Sequence, residues 1–177
     1  MELREATAEL HSKAEKMEFT QRMFRGELSK YEYVKYLYQQ LSIFDSIESD
    51  ELPHPSLVRA DKVREDIIEL SSKFDEFHHG TNILPTTLAY SQYLSTLTKE
   101  ERLPHVYLNY LALVYGGQMM KNQTPGSSKM YDFENMQEVV GAIRATQKDE
   151  WADEVNKGFE YIITISDELQ NTTRHNS

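Results

Sequence analysis

A histidine and a glutamate near the amino end are the first residues whose types and spacing could do chemistry. His11 falls among the apolar positions of an amphipathic helical pattern, and Glu15, four residues on, shares its helix face. A carboxylate in that position can orient a metal-bound imidazole through the other ring nitrogen, directly or through water. Two plainer explanations stay open, namely a satisfied core histidine and an ordinary polar pair.

Residues 105–121 are the second stretch of interest. Positions 106–120 are apolar on every side except at Asn109, Gly116, Gly117 and Gln118. Such a segment predicts a buried helix that is too short to span a bilayer. Each glycine costs a helix about 1 kcal/mol relative to alanine, so we expect the bare backbone to be approached closely by another body. That body is either a second helix or a flat ligand.

Two further pairs of residues could bind a ligand or a metal. Arg144 and Lys148 lie four apart and could clamp the carboxylates of a ligand, although most such pairs are solvated. Glu76 and His79 have the E-x-x-H spacing of di-iron carboxylate bundles, which need that motif twice. The sequence contains no convincing second copy and no nucleotide-binding or serine-hydrolase motif.

Composition narrows the class of protein. The chain has 177 residues, no cysteine and a net charge of −10, with a pI near 5.1. The missing cysteines exclude disulfides and thiolate chemistry and fit a reducing compartment, so we expect a cytoplasmic protein. The acidic balance argues against binding to nucleic acid or anionic lipid. We expect no signal peptide and no membrane span.

The elements that must position these residues are helical throughout. Apolar periodicity and two capping boxes, Ser29 with Glu32 and Thr98 with Glu101, predict one all-α domain of seven to nine helices over residues 1–177. Pro104 suits the first turn of the glycine-containing helix. Residues 122–129 are predicted to form a loop, and residues 170–177 are predicted to form a polar, frayed tail. The predicted helices are 3–16, 19–25, one from Ser29 to the prolines at 53 and 55, 61–74, 86–97, 105–121, 134–146 and 149–169.

Two stretches together resemble a known family. The run LREATAELHSKAEKMEF, residues 3–19, closely resembles the proximal helix of haem oxygenases, where L-[KR]-E-A-T-x-x-x-H-x-x-A-E carries the axial histidine. The run YLNYLALVYGGQ, residues 107–118, resembles the distal helix, whose glycine pair lets the backbone lie against the haem face. Three shorter runs, PTTL, YDFEN and FEYIITISDEL, are also similar to family segments. The resemblance covers nearly the whole chain.

The resemblance implies a role for each matching residue. His11 would be the axial iron ligand, Glu15 its hydrogen-bonding partner, and Gly116 with Gly117 the distal glycine pair. The remaining matches would lie at the haem edge and the propionates: Arg4, Tyr107, Arg144 and Lys148.

The distal helix departs from the pattern of many family members. Those members have G-D-L-S-G-G, with an aspartate that organises water over bound oxygen, whereas residues 112–117 read ALVYGG and place Leu113 at the aspartate position. Plant-type members resemble this chain in lacking the aspartate, and they are active. The polar side chains left nearby are Asn109, Tyr110 and Tyr115.

The resemblance implies an enzyme of bilin biosynthesis that opens haem to biliverdin and releases carbon monoxide and ferrous iron. Haem is then both substrate and cofactor, molecular oxygen is the co-substrate, and reduced ferredoxin or a reductase supplies electrons. We expect a monomer. Two alternatives remain: a non-haem enzyme on the same fold, such as a di-iron oxidase or a thiaminase-like protein, and a non-catalytic haem-binding relative. A thiaminase-like reaction would need a cysteine nucleophile, which the chain lacks.

Overall fold

The computed structural model describes residues 1–71 and 82–173, and within these ranges the fold is all-α, as predicted. No helix in these ranges is long and apolar enough to cross a bilayer. Three short 3-10 turns connect the helices: Pro55–Leu57, Lys129–Tyr131 and Asp149–Trp151. The α-helices are α1 Leu3–Ala6, α2 Ala8–Glu15, α3 Glu18–Phe24, α4 Lys30–Ile47, α5 Ala60–Ser71, α6 Pro85–Thr96, α7 Lys99–Gln123, α8 Met136–Thr146 and α9 Ala152–Thr173.

Helix α9 joins the two ends of the chain. It packs against α2 and α3 from the amino end and against α6 and α7 from the middle. Helix α4 packs along α5 and α6, while α7 also contacts α8 and the turn Lys129–Tyr131. The helix that carries His11 and the helix that carries the glycine pair therefore share α9 as a common neighbour.

Local signals in the sequence place several helix ends correctly. In both predicted capping boxes, Ser29 with Glu32 and Thr98 with Glu101, the hydroxyl accepts from a backbone N–H and the carboxylate accepts in return. Gly26 follows α3 with a φ of 71°, the left-handed conformation that glycine adopts without strain.

The predicted helix 3–16 is interrupted at Thr7. This residue has φ −111° and ψ 1°, and its hydroxyl donates to the carbonyl of Leu3 at 2.9 Å. Such back-bonding competes with the regular helical ladder. The carbonyl of Ala6 accepts from the amide of Asn156 on α9 at 3.2 Å, so a side chain of another helix satisfies the break.

The expected position of Pro104 in a first helical turn is wrong. Helix α7 begins at Lys99, because the capping box of Thr98 and Glu101 starts it there, and Pro104 lies in its second turn. Proline removes one helical N–H, which leaves the carbonyl of residue 100 without its usual donor. Glu100 is exposed, so water can serve that carbonyl.

The prediction that residues 170–177 fray is wrong for their first part. Helix α9 continues to Thr173, whose side chain is fully buried. The Thr173 hydroxyl donates to the carboxylate of Glu32 at 3.3 Å, and Arg22 donates to the side chain of Gln170 at 3.2 Å. Tertiary contacts therefore hold this polar end in place, and the last four residues lie outside the described part of the chain.

Other predicted boundaries differ or fall where the chain is not described. Helix α5 is described from Ala60 to Ser71, and both its predicted end at residue 74 and the predicted pair of Glu76 and His79 lie within residues 72–81, outside the described residues. Helix α7 continues to Gln123, two residues into the loop predicted to follow it.

A buried polar network fastens α9 to α6 and α7. The imidazole of His105 is fully buried, with Nδ1 2.6 Å from the hydroxyl of Tyr90 and Nε2 2.9 Å from Oε1 of Glu154. Tyr93 also donates to Glu154, and Asn109 donates to the Tyr90 hydroxyl at 3.1 Å. A neutral imidazole satisfies both contacts if Nε2 donates to the carboxylate and Nδ1 accepts from the tyrosine.

Helices α7 and α9 approach most closely at Gly158. A Cβ added there would lie 2.4 Å from Cδ2 of Leu108 and 3.1 Å from Nδ1 of His105. Both distances are shorter than ordinary packing allows. Gly158 therefore lets α9 lie directly against α7 beside the buried network.

We predict that this network makes folding sensitive to mild acid. Burial lowers the pKa of His105, so below about pH 6.5 the unfolded chain binds a proton that the folded chain does not. Burial raises the pKa of Glu154, but hydrogen bonds from Tyr93 and His105 outweigh it and leave the pKa below its ordinary value. Both shifts make the free energy of unfolding fall as the pH falls from about 7 towards 4.

Urea unfolding at a series of pH values measures this dependence. The variant His105→Gln should flatten the slope between about pH 7 and 5. The variant His54→Gln changes a histidine that lies outside the network, beside Glu138, and should keep the wild-type slope. An unchanged slope in His105→Gln would contradict the assignment.

Candidate functional site

His11 and Glu15 form the contact that their spacing predicts. Nε2 of His11 lies 2.9 Å from Oε1 of Glu15, and the two side chains are 60% and 56% exposed. The contact engages one ring nitrogen and leaves much of the imidazole facing solvent. His11 is thus not an enclosed core histidine, and its ring can accept a metal ligand role without rearrangement of the core.

Phe159 of α9 supplies a second support for the same ring. The two rings stack with centroids 5.6 Å apart and planes inclined by 20°. Phe159 is itself buried in a small apolar cluster, whose other buried members are Leu3, Leu108, Trp151 and Val155. The sequence places Phe159 in the core but does not indicate that it would meet His11, because the two residues are 148 positions apart.

One face of α7 is open, although the sequence predicts a helix buried all round. Tyr115 is 64% and Met119 is 57% exposed, Ala112 is exposed, and Gly116 is partly so. Their spacing places these four residues on one side of the helix. Exposed apolar surface of this kind marks a binding site more often than an ordinary surface.

The two adjacent glycines of α7 have different surroundings. A Cβ added at Gly116 would meet only Cγ of Met120, at 3.6 Å, so its outer side is open. A Cβ added at Gly117 would lie 3.3 Å from the carbonyl oxygen of Tyr131. Gly117 is buried, and close packing against Tyr131 explains why a glycine is found there. No neighbour explains the missing side chain at Gly116.

Of the three polar candidates on the distal helix, only Tyr115 reaches the open face. Asn109 is buried and donates to Tyr90, and Tyr110 is buried and donates to Glu48 at 2.6 Å. Burial raises the pKa of Glu48, and burial together with the Glu48 charge raises that of Tyr110. Leu113, at the position of the family aspartate, also faces the core.

Arg144 stands at the border of the open face. Its Nη2 donates to the hydroxyl of Tyr115 at 3.2 Å, and its Nη1 donates to Oε1 of Gln147 at 2.8 Å. The hydrogen bond to Tyr115 raises the pKa of Arg144 above its ordinary value, so the guanidinium is a fixed positive charge. A phenol and a cation therefore lie side by side at the edge of an apolar surface.

The other predicted propionate and haem-edge residues are less constrained. Tyr107 lies edge-on to Trp151, with centroids 6.3 Å apart. Arg4 and Lys148 are exposed. Lys148 follows the end of α8 at Thr146, so it does not lie on the helix that carries Arg144.

The contacts described connect His11 to α7 through α9. His11 stacks on Phe159, and the neighbouring Gly158 abuts Leu108 of α7. Gly116 lies eight residues beyond Leu108, about 12 Å further along the helix. The exposed imidazole of His11 lies on α2, the open apolar face with Arg144 at its edge belongs to α7, and both helices pack against α9.

Comparisons with known proteins agree with the all-α fold. The family model for heme oxygenase matches residues 1–165. The chain is similar to heme oxygenase-1 of the cyanobacterium Synechocystis, solved with heme, at 20% identity and a TM-score of 0.81, covering 96% of this chain and 91% of that one. For heme oxygenase of Leptospira interrogans the identity is 21%, the TM-score 0.77 and the coverage 94% and 95%.

A third solved structure is heme oxygenase-2 of Synechocystis with heme and NO, at 20% identity and a TM-score of 0.80, covering 98% of this chain and 85% of that one. At these identities the likeness shows a shared fold. No curated protein matches the chain. The match over residues 1–165 shows that the chain belongs to the haem oxygenase family.

Proposed function

We propose that this chain opens haem oxidatively to biliverdin and releases carbon monoxide and ferrous iron, with haem as both substrate and cofactor. The observation that carries the proposal is the exposed imidazole of His11, held at 2.9 Å by Glu15 on a helix whose sequence resembles the family's proximal motif. The family match favours this function over a non-haem enzyme or a non-catalytic relative. Within residues 1–71 and 82–173 no group of three or more His, Cys, Asp or Glu could hold a metal ion.

In this proposal His11 binds the iron through one ring nitrogen and Glu15 orients the ring through the other. Such a partner fixes the ring and raises its basicity as a ligand. Bound haem supplies the iron at which oxygen is reduced and the ring that is opened. Glu15 would limit the orientations of that ring at its edge.

The open face of α7 would cover the side of the haem away from His11. Its apolar side chains, Tyr115 and Met119, exclude water when the ligand is in place. The bare backbone at Gly116 lets peptide groups approach the reacting edge. Gly117 contributes indirectly, because its missing side chain lets α7 rest on the carbonyl of Tyr131.

Cationic side chains would bind the propionates. Arg144 is the best placed, since its guanidinium borders the face and can pair with a carboxylate in a bidentate manner. Arg4 and Lys148 are exposed cations that would complete the pairing, and Tyr107 would lie at the haem edge. In a chain of net charge −10 such local cations are needed to hold a dianionic ligand.

The proposal includes molecular oxygen as co-substrate and reduced ferredoxin or a reductase as electron donor. It treats residues 1–177 as one haem oxygenase-like domain that acts as a monomer in the cytoplasm. The absence of cysteine supports a reducing compartment.

Hemin turnover tests the proposed function. Addition of hemin should give a Soret band, and ferredoxin, its reductase and NADPH should then bleach that band and produce a bilin spectrum. A haem that survives reductant and oxygen would contradict the proposal and favour a haem-binding protein without activity.

The glycine pair gives a prediction that separates ligand contact from helix packing. Gly116→Ala should raise the free energy of unfolding of the haem-free protein by about 0.5–1 kcal/mol, because alanine favours the helix and its Cβ has room. The same variant should weaken hemin binding several-fold, because the new methyl group occupies the haem face. Urea unfolding and hemin titration measure the two effects.

Gly117→Ala is the matched control for that prediction. Its Cβ would press on the Tyr131 carbonyl at 3.3 Å, so we expect no gain in stability. If Gly116→Ala binds hemin as tightly as the wild type, the open side of Gly116 does not face haem.

A further inference from the structure

Two side chains from different helices hold the imidazole of His11. Glu15 contacts the edge of the ring at 2.9 Å, and Phe159 covers one face with centroids 5.6 Å apart. An edge contact alone leaves the ring free to swing about the axis through that contact. A flat neighbour nearly parallel to the ring, at 20°, restricts that swing.

The backbone that carries His11 is tied to the same part of α9. The amide of Asn156 donates to the carbonyl of Ala6 at the break between α1 and α2, and the N–H of His11 donates to the carbonyl of Thr7 at 3.0 Å. Asn156 and Phe159 are three residues apart and therefore share one face of α9. This face contacts both the start of the helix that bears His11 and the ring itself.

Helix α9 is in turn fixed against α7 on its other side. Gly158 allows direct contact with Leu108, and Glu154 accepts from the buried imidazole of His105 at 2.9 Å. A continuous series of packing contacts thus runs from α7 through α9 to the ring of His11, and it determines where that ring lies. Phe159 is the last member of that sequence of contacts.

We infer that Phe159 is a positioning residue for the axial imidazole, while Asn156 holds the carbonyl of Ala6 at the end of α1, just before α2. The inference rests on the proposed function, since it concerns the residue assigned to bind iron. Phe159 acts through His11 by limiting the orientations of its ring. Its removal leaves the ligand present but poorly oriented.

The first experiment uses the haem-free protein. Phe159→Leu keeps an apolar side chain and removes the aromatic ring, so the NMR shifts of the His11 ring protons should move as the ring current is lost. Tyr161→Leu is the matched control, because it removes a stacked ring from the same helix, one that faces Tyr90 at 4.7 Å instead of His11. Equal His11 shifts in wild type and Phe159→Leu would overturn the inference.

The second experiment uses the hemin complex. In the ferrous complex of Phe159→Leu, the iron–histidine stretching band in resonance Raman should broaden or shift, and hemin binding should weaken about 10-fold. Phe159→Tyr keeps a flat ring and should restore the wild-type band. Tyr161→Leu should leave the band unchanged even if it lowers the melting temperature by a similar amount.

Two further results separate the inference from the proposed function. If His11→Ala keeps the iron–histidine band, the axial assignment itself is wrong. If His11→Ala loses the band but Phe159→Leu retains it at wild-type width and affinity, only the role of Phe159 is overturned. Phe159→Met provides a second ring-free variant should the leucine variant fold poorly, with the same band change expected.

Discussion

Replacing His11 with alanine should abolish turnover of haem, with a fall in bilin formation of at least about 100-fold, because changes even to the partners of a metal ligand cost 10- to 100-fold. The imidazole of His11 is exposed and is contacted by Glu15 and Phe159. Under the proposed function, its loss would leave the apolar surfaces intact but would remove the bond to iron. Single-turnover bilin formation and the Soret band of the hemin complex measure the effect.

Two variants accompany that measurement. Glu15→Gln keeps the shape of the partner and removes its charge, so we expect an intermediate loss of about 10-fold. His54→Ala changes another histidine with a carboxylate neighbour, Glu138 at 3.5 Å, and should turn over as the wild type does. Wild-type turnover in His11→Ala would exclude His11 as the axial ligand.

Replacing Arg59 with alanine should lower the free energy of unfolding by about 4 kcal/mol, among the largest effects expected of any single substitution in a domain of this kind. The side chain is only 2% exposed, and its guanidinium lies 3.8 Å from the centroid of the Phe133 ring. Its five hydrogen bonds all go to backbone carbonyls, those of Ser56, Leu57, Val58, Met130 and Asp132.

The large effect follows from what Arg59 leaves behind. Burial lowers the pKa of Arg59, but nearby carboxylates such as Glu48 favour its charged form. Without the guanidinium, the carbonyls of Met130 and Asp132 lose a hydrogen-bond donor. The residue between them, Tyr131, has its carbonyl oxygen next to Gly117 of α7. The substitution therefore loosens the support behind α7 as well as the core.

Arg64→Ala is the matched control for Arg59→Ala. Arg64 pairs with Asp45 and Asp61 at the surface, at 2.9 and 3.0 Å, and exposed pairs of this kind contribute up to about 1 kcal/mol. Urea unfolding should separate the two variants clearly. A similar small loss in both would mean that the buried hydrogen bonds of Arg59 are replaced by water at little cost.

Several helix starts follow from short-range signals that can be read directly in the sequence. The capping boxes at Ser29 and Thr98 are read from residues three apart, and both are present in the structure. The pairing of His11 with Glu15 is also local, because four residues make one helical turn. These parts of the fold and of the candidate site could be predicted without tertiary information.

The remaining parts depend on which helices meet. Phe159 reaches His11, and the Tyr131 carbonyl reaches Gly117, only because α9 and the turn Lys129–Tyr131 pack where they do. The apolar periodicity of α7 cannot show that one of its apolar sides stays open, since composition is the same whether a neighbour or a ligand covers it. The polar sequence at the end of α9 likewise predicts a frayed terminus. Only the structure shows that the hydroxyl of Thr173 is hydrogen-bonded to Glu32.

The open face of α7 also affects the stability and abundance of the ligand-free protein. Tyr115 and Met119 are exposed to water until a ligand covers them. The ligand-free protein therefore has exposed apolar surface, which favours self-association. A ligand that binds only the native state stabilises it by about 2.7 kcal/mol at 100 times its dissociation constant. Abundance of the enzyme would then follow the supply of its own substrate, with apo molecules cleared first when haem is scarce.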